Sequence, residues 1–359
     1  MLNVTKMDIT INIGSLSSLN SLVYYFAPKL EEVRQAYRRG ETPNILLDFR
    51  NIKYGNINIG ALTSLVSILK RLREFVGKPI PATINWDPKL QGFLADIDFF
   101  GIVSKYNLID WQPSGIIGGY RTGQINPNTK LVYYADTSST DSLSEYEIGL
   151  KKADLKQKIA PNFLLRCANL FYGLDKRTEE ILTSTSLELI VNSLLHGEDI
   201  AFVGLQRSHS RITISVCDTG IGFSRSLSKA YLNNSNLQKL PHAEAIFIGS
   251  LIQKNVHGLR LAIQEVLNLK SDMPTLDFSN DGWVIISSYG SEIRWQKRNW
   301  LNAISHFDST NISVSKPNIY AALGPPSNDY HSSGASMDGY WRNYPNYLVG
   351  TRITFEVLI

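Results

Sequence analysis

Apolar and polar residues alternate with two different periods along roughly the first hundred residues of the chain. A period of two, as in Ile-Thr-Ile-Asn-Ile, is typical of a half-buried strand, and a period near 3.6 is typical of a helix. The predicted elements are strands at 9–13, 44–49 and 80–86, and helices at 15–39 and 60–77 and from Asp87-Pro88 onward. Strands that alternate with helices in this way predict an open sheet with helices packed on it.

Regular periodicity stops between residues 112 and 144, where glycine, proline and serine interrupt it apart from a short apolar run at 131–134. Such a break indicates a domain junction. Beyond it, periodicity returns by Lys151 and continues into a long predicted helix whose core is 181–196. The pattern also predicts a helix at 259–269 and strands at 201–205, 211–217, 283–288 and 352–358.

The resulting division of the chain is a domain at 1–112, a linker and lead-in at 113–150, and a domain at 151–359. The second domain carries a long insert near 302–347 that is crowded with Ser, Asn, Pro, Gly and Tyr. An insert of this kind is either functional or poorly ordered.

Composition narrows the class of protein but not its chemistry. The chain has 359 residues, of which 43% are hydrophobic and 19% charged, and its net charge is only +4. This balance gives no indication of a nucleic-acid-coating protein. Two cysteines exclude a disulfide framework and suit a reducing cytoplasm. The chain has neither a signal-peptide pattern at its start nor an uninterrupted apolar run of about 18 residues, so we expect a cytoplasmic protein that does not contact the membrane.

Three polar residues follow one face of the helix predicted at 181–196. Glu188, Asn192 and His196 are spaced by four residues, while the residues between them are mostly apolar. A carboxylate, an amide and an imidazole in one line suit a metal ion, a water molecule and phosphate oxygens. A solvent-exposed polar stripe explains the same spacing equally well.

Two glycine-containing motifs follow this helix. The strand that ends at Cys217 runs into Asp218, Gly220 and Gly222, and glycines there allow a close approach of backbone to ligand. Gly258 opens a helical run, and a helix N-terminus offers free amides to phosphate. A tight turn and a plain helix start are the alternatives when each motif is taken alone. A weaker fourth element is Gly350-Thr351, which leads into the last predicted strand.

The ordered set of motifs resembles the GHKL nucleotide-binding family over roughly residues 155–359. The resemblance implies a Bergerat-type α/β sandwich with a mixed sheet and a mobile lid at about 223–257. The implied roles are Mg²⁺ coordination by Asn192, adenine-amine binding by Asp218, pocket shaping by Gly220 and Gly222, phosphate contact by Gly258, adenine backing by Thr351 and water activation by Glu188. His196 and Arg260 complete the expected nucleotide-binding set.

Arg260 departs from the family pattern, because it stands where the lid's second glycine is usual. An arginine there either clamps a phosphate or stiffens the lid. The insert near 302–347 is also atypical of the family, and we expect either a partner-binding element or disordered decoration.

The first domain resembles the STAS domain of anti-sigma-factor antagonists over about residues 8–111. The motifs that carry this likeness are Asn-Ile-Leu-Leu-Asp-Phe at 44–49 and Ile-Asn-Ile-Gly-Ala-Leu at 57–62. In that family a phosphorylatable serine stands two residues before the glycine that opens the helix. Asn58 occupies that position here, so the resemblance implies a docking or dimerising module without a phosphoswitch.

These observations predict an α/β (α+β) protein, with a STAS-like sheet-and-helix domain before a Bergerat-type sandwich. The expected function is Mg²⁺-dependent binding and hydrolysis of ATP, with lid closure coupled to docking of a protein partner or a second copy. An anti-sigma-type protein serine kinase and a non-catalytic ATP-gated scaffold are the alternatives.

Overall fold

The computed structural model describes residues 8–84, 88–112, 128–136, 144–196, 200–231, 235–252, 258–268, 282–306, 319–328 and 339–359. Within these ranges the protein is a mixed α/β fold with two sheets, one parallel and one antiparallel. The α/β class predicted from the sequence is therefore confirmed. None of the helices in these ranges is long and apolar enough to cross a membrane.

The first sheet is parallel, with its four strands side by side in chain order. Its strands are β1 (Asp8–Asn12), β2 (Asn44–Asp48), β3 (Ile80–Thr83) and β4 (Ile109–Gln112), and its helices are α1 (Leu19–Arg38), α2 (Ile59–Val76), α3 (Pro88–Asp96) and α4 (Phe99–Lys105). The alternation of strand and helix produces this arrangement, because parallel neighbours need a crossover connection between them.

Helix α2 begins and ends at residues suited to those positions. The Asn58 side chain accepts a hydrogen bond from the backbone N–H of Ala61 at 3.1 Å, which caps the helix N-terminus. Gly77 ends the helix with φ +80°, a left-handed conformation that favours glycine. The residue at the expected phospho-acceptor position is therefore a structural cap. Pro28 lies inside α1 without ending it.

The second sheet is antiparallel in every described pair and has the order β5-β6-β7-β9-β8. Its strands are β5 (Thr129–Ala135), β6 (Ile200–Arg207), β7 (Arg211–Cys217), β8 (Trp283–Trp295) and β9 (Trp341–Leu358). The expected mixed sheet is thus corrected to an antiparallel one, as short connections such as the turn between β6 and β7 require. Strand β5 lies within the range expected to be a linker, yet it forms an edge of this sheet.

Helices accompany the second sheet and share one apolar core with it. They are α5 (Glu145–Phe171), α6 (Lys176–His196), α7 (Gly222–Ala230), α8 (His242–Leu251), α9 (Leu259–Asn268), α10 (Lys297–His306) and α11 (Ile319–Leu323). Alternate residues of β7, namely Ile212, Ile214 and Val216, point into this core. A capping box between Ser144 and Glu147 starts α5.

Helix α2 lies between the two sheets and is buried on both sides. It shares a core with the first sheet, and every residue from Ile59 to Lys70 is buried. On its other side it meets β6 so closely that a Cβ added to Gly204 would lie 2.0 Å from the Thr63 Oγ1 atom. This second contact explains why burial extends beyond the single apolar stripe that the sequence predicts for the helix.

The insert near 302–347 contains regular structure where the structure describes it. Helix α11 lies within it, and β9 begins at Trp341 rather than near residue 352. Trp341 is buried, and its indole N–H donates to the Gly324 carbonyl at 2.8 Å. Residues 307–318 and 329–338 of the insert lie outside the described ranges. The described part of the insert therefore belongs to the core, because β8 and β9 pair beyond the predicted strand ends.

This extension of β8 and β9 encloses a buried ion pair. Two nitrogens of Arg342 donate to Glu292 Oε1, at 3.0 and 2.7 Å, and both side chains are almost completely buried. Ser287 Oγ and Tyr344 OH donate to the other carboxylate oxygen, at 2.9 and 3.2 Å. The carboxylate is thus hydrogen-bonded on both oxygens, as a buried charge requires.

Candidate functional site

The polar residues predicted on one helix face lie together on α6. Glu188 is buried at 4% exposure, and the Asn192 Nδ2 donates to its Oε1 at 3.1 Å. Because only the amide nitrogen can donate to a carboxylate, the Asn192 Oδ1 is the atom that can contact a cation. His196 is the last residue of α6 and is exposed. Glu188 and Asn192 therefore belong to a packed polar site and not to a solvated stripe.

Two lysines of α5 hold the Glu188 carboxylate. Lys152 forms an ion pair with Oε1, and the Lys156 Nζ lies 2.6 Å from Oε2. Burial raises the pKa of Glu188, but the charges and hydrogen bonds of the two lysines outweigh it and the net pKa is lowered. Glu188 is consequently ionised at neutral pH, with two cations beside it.

Asp218 lies directly after β7 and is anchored by backbone groups from two segments. Its Oδ1 accepts the N–H of Gly220 at 2.9 Å and the N–H of Thr351 at 3.0 Å. The Asp218 N–H in turn donates to the Thr351 carbonyl at 2.9 Å. Because β7 and β9 are neighbours in the sheet, residues far apart in sequence meet at this carboxylate.

Burial raises the pKa of Asp218 to about 6. The backbone N–H groups of Gly220 and Thr351, the nearby Arg352 guanidinium and the Ser193 side chain act in the opposite direction. Ser193 follows Asn192 on α6, so its contact with Asp218 joins the helix motif to the strand motif. A buried carboxylate with a strongly raised pKa is typical of functional sites.

Glycine is required by close backbone packing at two positions of the site. Gly350 has φ +94°, and a Cβ there would lie 2.1 Å from the Asp218 carbonyl oxygen. Gly222 has φ +74°, and a Cβ there would lie 2.6 Å from the Tyr289 ring. Both positions combine a left-handed backbone with a contact that no side chain could share.

An aromatic pair stands beside Gly222. The rings of His242 and Tyr289 are stacked, with centroids 5.0 Å apart and planes 10° apart. Burial lowers the pKa of His242, so its imidazole is neutral at physiological pH. The pair forms a rigid, largely uncharged wall on this side of the Asp218 turn.

The third predicted motif begins α9. Gly258 precedes the helix, and its carbonyl accepts the Ala262 N–H at 3.0 Å. The Arg260 Nη1 donates to the Leu251 carbonyl at the end of α8, at 3.1 Å. A cation at a helix C-terminus satisfies a free carbonyl there, and this contact connects α8 to α9. His257 and the rest of 253–257 lie outside the described residues.

Four residues with a hydrogen bond or ion pair to Glu188 or Asp218 were not singled out from the sequence. They are Lys152 and Lys156 on α5, Ser193 on α6, and Ser67 on α2, whose Oγ donates to the Asp218 carbonyl at 2.8 Å. The spacing of Lys152 and Lys156 by four residues places them on one helix face. Lys151 and Lys158 obscure that signal in the sequence. Nothing local to Ser67 indicates a contact 151 residues away.

A metal ion at this cluster would have few ligands from the protein. Among the described residues, no group of three or more His, Cys, Asp or Glu side chains is placed to hold a metal. A magnesium ion commonly takes few protein ligands and completes its coordination with phosphate oxygens and water. The Asn192 Oδ1 next to an ionised carboxylate and two lysines fits such a site.

Comparison with known proteins identifies no relative of this chain. No protein-family model matches the chain, and neither a curated protein nor a solved structure matches it significantly. Function is therefore inferred from the residues and their geometry.

Proposed function

We propose that the second half of the chain binds ATP with Mg²⁺ and hydrolyses it. The observation that carries this proposal is the packing of α6 against β7, which brings the helix that carries Glu188 and Asn192 to the backbone-anchored Asp218 carboxylate at the end of β7. Ser193 of α6 lies near enough to Asp218 to lower its pKa. A purine-amine acceptor and a phosphate-side cluster thereby share one site.

At the adenine end, Asp218 is the specificity group. With Oδ1 fixed by two backbone N–H groups, the carboxylate has a set orientation and retains capacity to accept from an exocyclic amine. A buried polar group of this kind discriminates strongly, because a base that cannot donate leaves it unpaired. Gly220 and Thr351 shape this end through their backbone.

At the phosphate end, Asn192 would hold the metal and Glu188 would orient the attacking water. A bound magnesium ion neutralises phosphate charge and aligns the phosphoryl group. The lowered pKa of Glu188 makes it a weak base, so its contribution is positioning more than proton abstraction. Lys152 and Lys156 supply positive charge where negative charge develops on the phosphoryl oxygens.

The first sheet is coupled to this site through α2. Ser67 donates to the carbonyl of Asp218, and the Ser64 Oγ lies 3.5 Å from the Cys217 Sγ. A nucleotide-dependent shift at the end of β7 would therefore be transmitted to the STAS-like part of the chain. The cap formed by Asn58 leaves no hydroxyl there for a kinase reaction within one chain.

The test is phosphate release from ATP and Mg²⁺ by the wild type and Glu188→Gln. We expect release to fall by about 10² or more, while ATP affinity changes by less than about threefold. Glu180→Gln is the matched control, because Glu180 is exposed on the same helix. Wild-type release that Glu188→Gln leaves unchanged would refute the role of Glu188. Transfer of labelled phosphate to protein would indicate a kinase, and binding without turnover would indicate a scaffold.

A further inference from the structure

A cavity of about 170 Å³ opens between α1, α2 and β9, apart from the site described above. Its apolar lining includes Leu30 and Val33 of α1, Leu72 and Phe75 of α2, and Val349 of β9. An engineered cavity of roughly 150 Å³ with similar lining binds benzene. The volume therefore suits a single aromatic ring or a short alkyl chain and is too small for a folded partner.

The lining of this cavity is incompletely covered by the protein itself. Phe75 is 48% exposed, although its ring contacts Tyr37 edge-to-face at 4.8 Å between centroids. Exposed aromatic surface beside a cavity loses contact with water when an apolar ligand enters, and this favours binding.

Positive charge is in excess at the rim. Arg34 and Arg71 line the cavity themselves. Each of the two neighbouring carboxylates is shared by two cations: Glu31 by Arg34 and Arg38, and Glu74 by Lys70 and Arg71. In the ion pairs given by the described residues, these four cations share two carboxylates, so positive side chains outnumber negative ones there. A ligand with one anionic end complements this surplus.

We propose that this cavity binds a small amphipathic carboxylate, with its apolar body between α1 and α2 and its carboxylate toward Arg34 and Arg71. The guanidinium group presents paired donors that match a carboxylate. Val349 of β9 lines the cavity, and the next residue, Gly350, packs against Asp218, so the ligand would contact β9 beside the Asp218 turn. Binding here does not require that ATP binds.

The test measures the affinity of the full chain for two matched probes, octanoate and octanol, by isothermal titration calorimetry. Octanoate is expected to bind saturably at one site, about fivefold or more tightly than octanol, which is the effect of one partly exposed charge contact. Absence of saturable octanoate binding at millimolar concentration, or equal affinities for the two probes, would overturn the proposal. This comparison needs only the wild-type protein.

Two variants locate the site. Leu30→Trp should abolish octanoate binding by filling the cavity, with circular dichroism verifying the native fold. Arg71→Gln should remove most of the preference for octanoate over octanol. Arg298→Gln, an exposed change on α10, is the control and should have no effect. Unchanged octanoate binding by folded Leu30→Trp would place the ligand elsewhere and contradict the proposal.

Discussion

Replacing Asp218 with asparagine separates the structural and recognition roles of this side chain. The amide keeps the shape of the side chain and one carbonyl oxygen, which can still accept the N–H groups of Gly220 and Thr351. The charge is lost, and an N–H donor replaces the second carboxylate oxygen. We therefore expect the variant to fold more stably and to bind ATP less tightly.

The magnitude follows from the pKa of Asp218, which burial raises from its usual 3.8 to about 6. Between about pH 4 and pH 6 the folded protein binds more protons than the unfolded chain, so its stability falls as pH rises through this interval. A difference of roughly two pH units corresponds to about 3 kcal/mol. Ionised Asp218 thus lowers the free energy of unfolding by about 3 kcal/mol above pH 7.

The assay is urea unfolding of wild type and Asp218→Asn at two pH values. The variant should be more stable by about 3 kcal/mol at pH 7.5 and by only about 1.5 kcal/mol at pH 5, where the wild-type carboxyl is largely protonated in the folded protein. Asp154→Asn, at an exposed position on α5, is the control and should change stability by less than about 0.5 kcal/mol.

Two results would contradict this reasoning. A variant that is less stable than wild type at pH 7.5, or whose advantage does not shrink at pH 5, would show that Asp218 is not a destabilised buried carboxylate. ATP affinity, measured in parallel, should fall at least about tenfold, because two donors then face each other. Equal ATP affinity of wild type and variant would show that Asp218 does not contact the adenine. The inference that Asp218 is a destabilised buried carboxylate would still stand.

Three further substitutions probe the surrounding packing. Gly350→Ala should lower the free energy of unfolding in urea by more than about 3 kcal/mol and abolish ATP binding, because the new Cβ would collide with the Asp218 carbonyl. A variant of near-native stability would contradict this expectation. Ser67→Ala should lower the free energy of unfolding by about 1–2 kcal/mol, because the Asp218 carbonyl loses its hydrogen-bond donor. An unchanged unfolding midpoint would show that this hydrogen bond does not contribute to stability. Glu292→Gln should destabilise the protein by about 3–5 kcal/mol, measured as a lower thermal midpoint, because Arg342 stays buried without its counter-charge. A destabilisation of less than about 1 kcal/mol would mean that water reaches the pair.

Local pattern was sufficient for most of the secondary structure. The strand and helix periods predicted β1 to β3, α1, α2 and α6 close to their observed bounds, because a face that packs on a core must repeat with the geometry of its element. The spacing of Glu188 and Asn192 likewise fixed their common face, since both lie on one helix. Asp218, Gly220 and Gly222 correctly predicted the turn after β7.

Contacts between segments that are distant in sequence could not be predicted from local patterns. The periodicity of α2 predicts one buried stripe, whereas the second sheet covers its other side and connects Ser67 to Asp218. The lysines that hold Glu188 come from another helix.

The sequence alone predicted many of the helices and strands, because backbone geometry and side-chain periodicity are local. It also predicted that Glu188 and Asn192 share one helix face and that a turn follows β7 at Asp218. Only the tertiary structure decided that the second sheet is antiparallel, that part of the insert extends its strands and that α2 lies between two sheets. These features depend on which distant surfaces bury each other, and burial is a property of the whole packed chain and of no single segment.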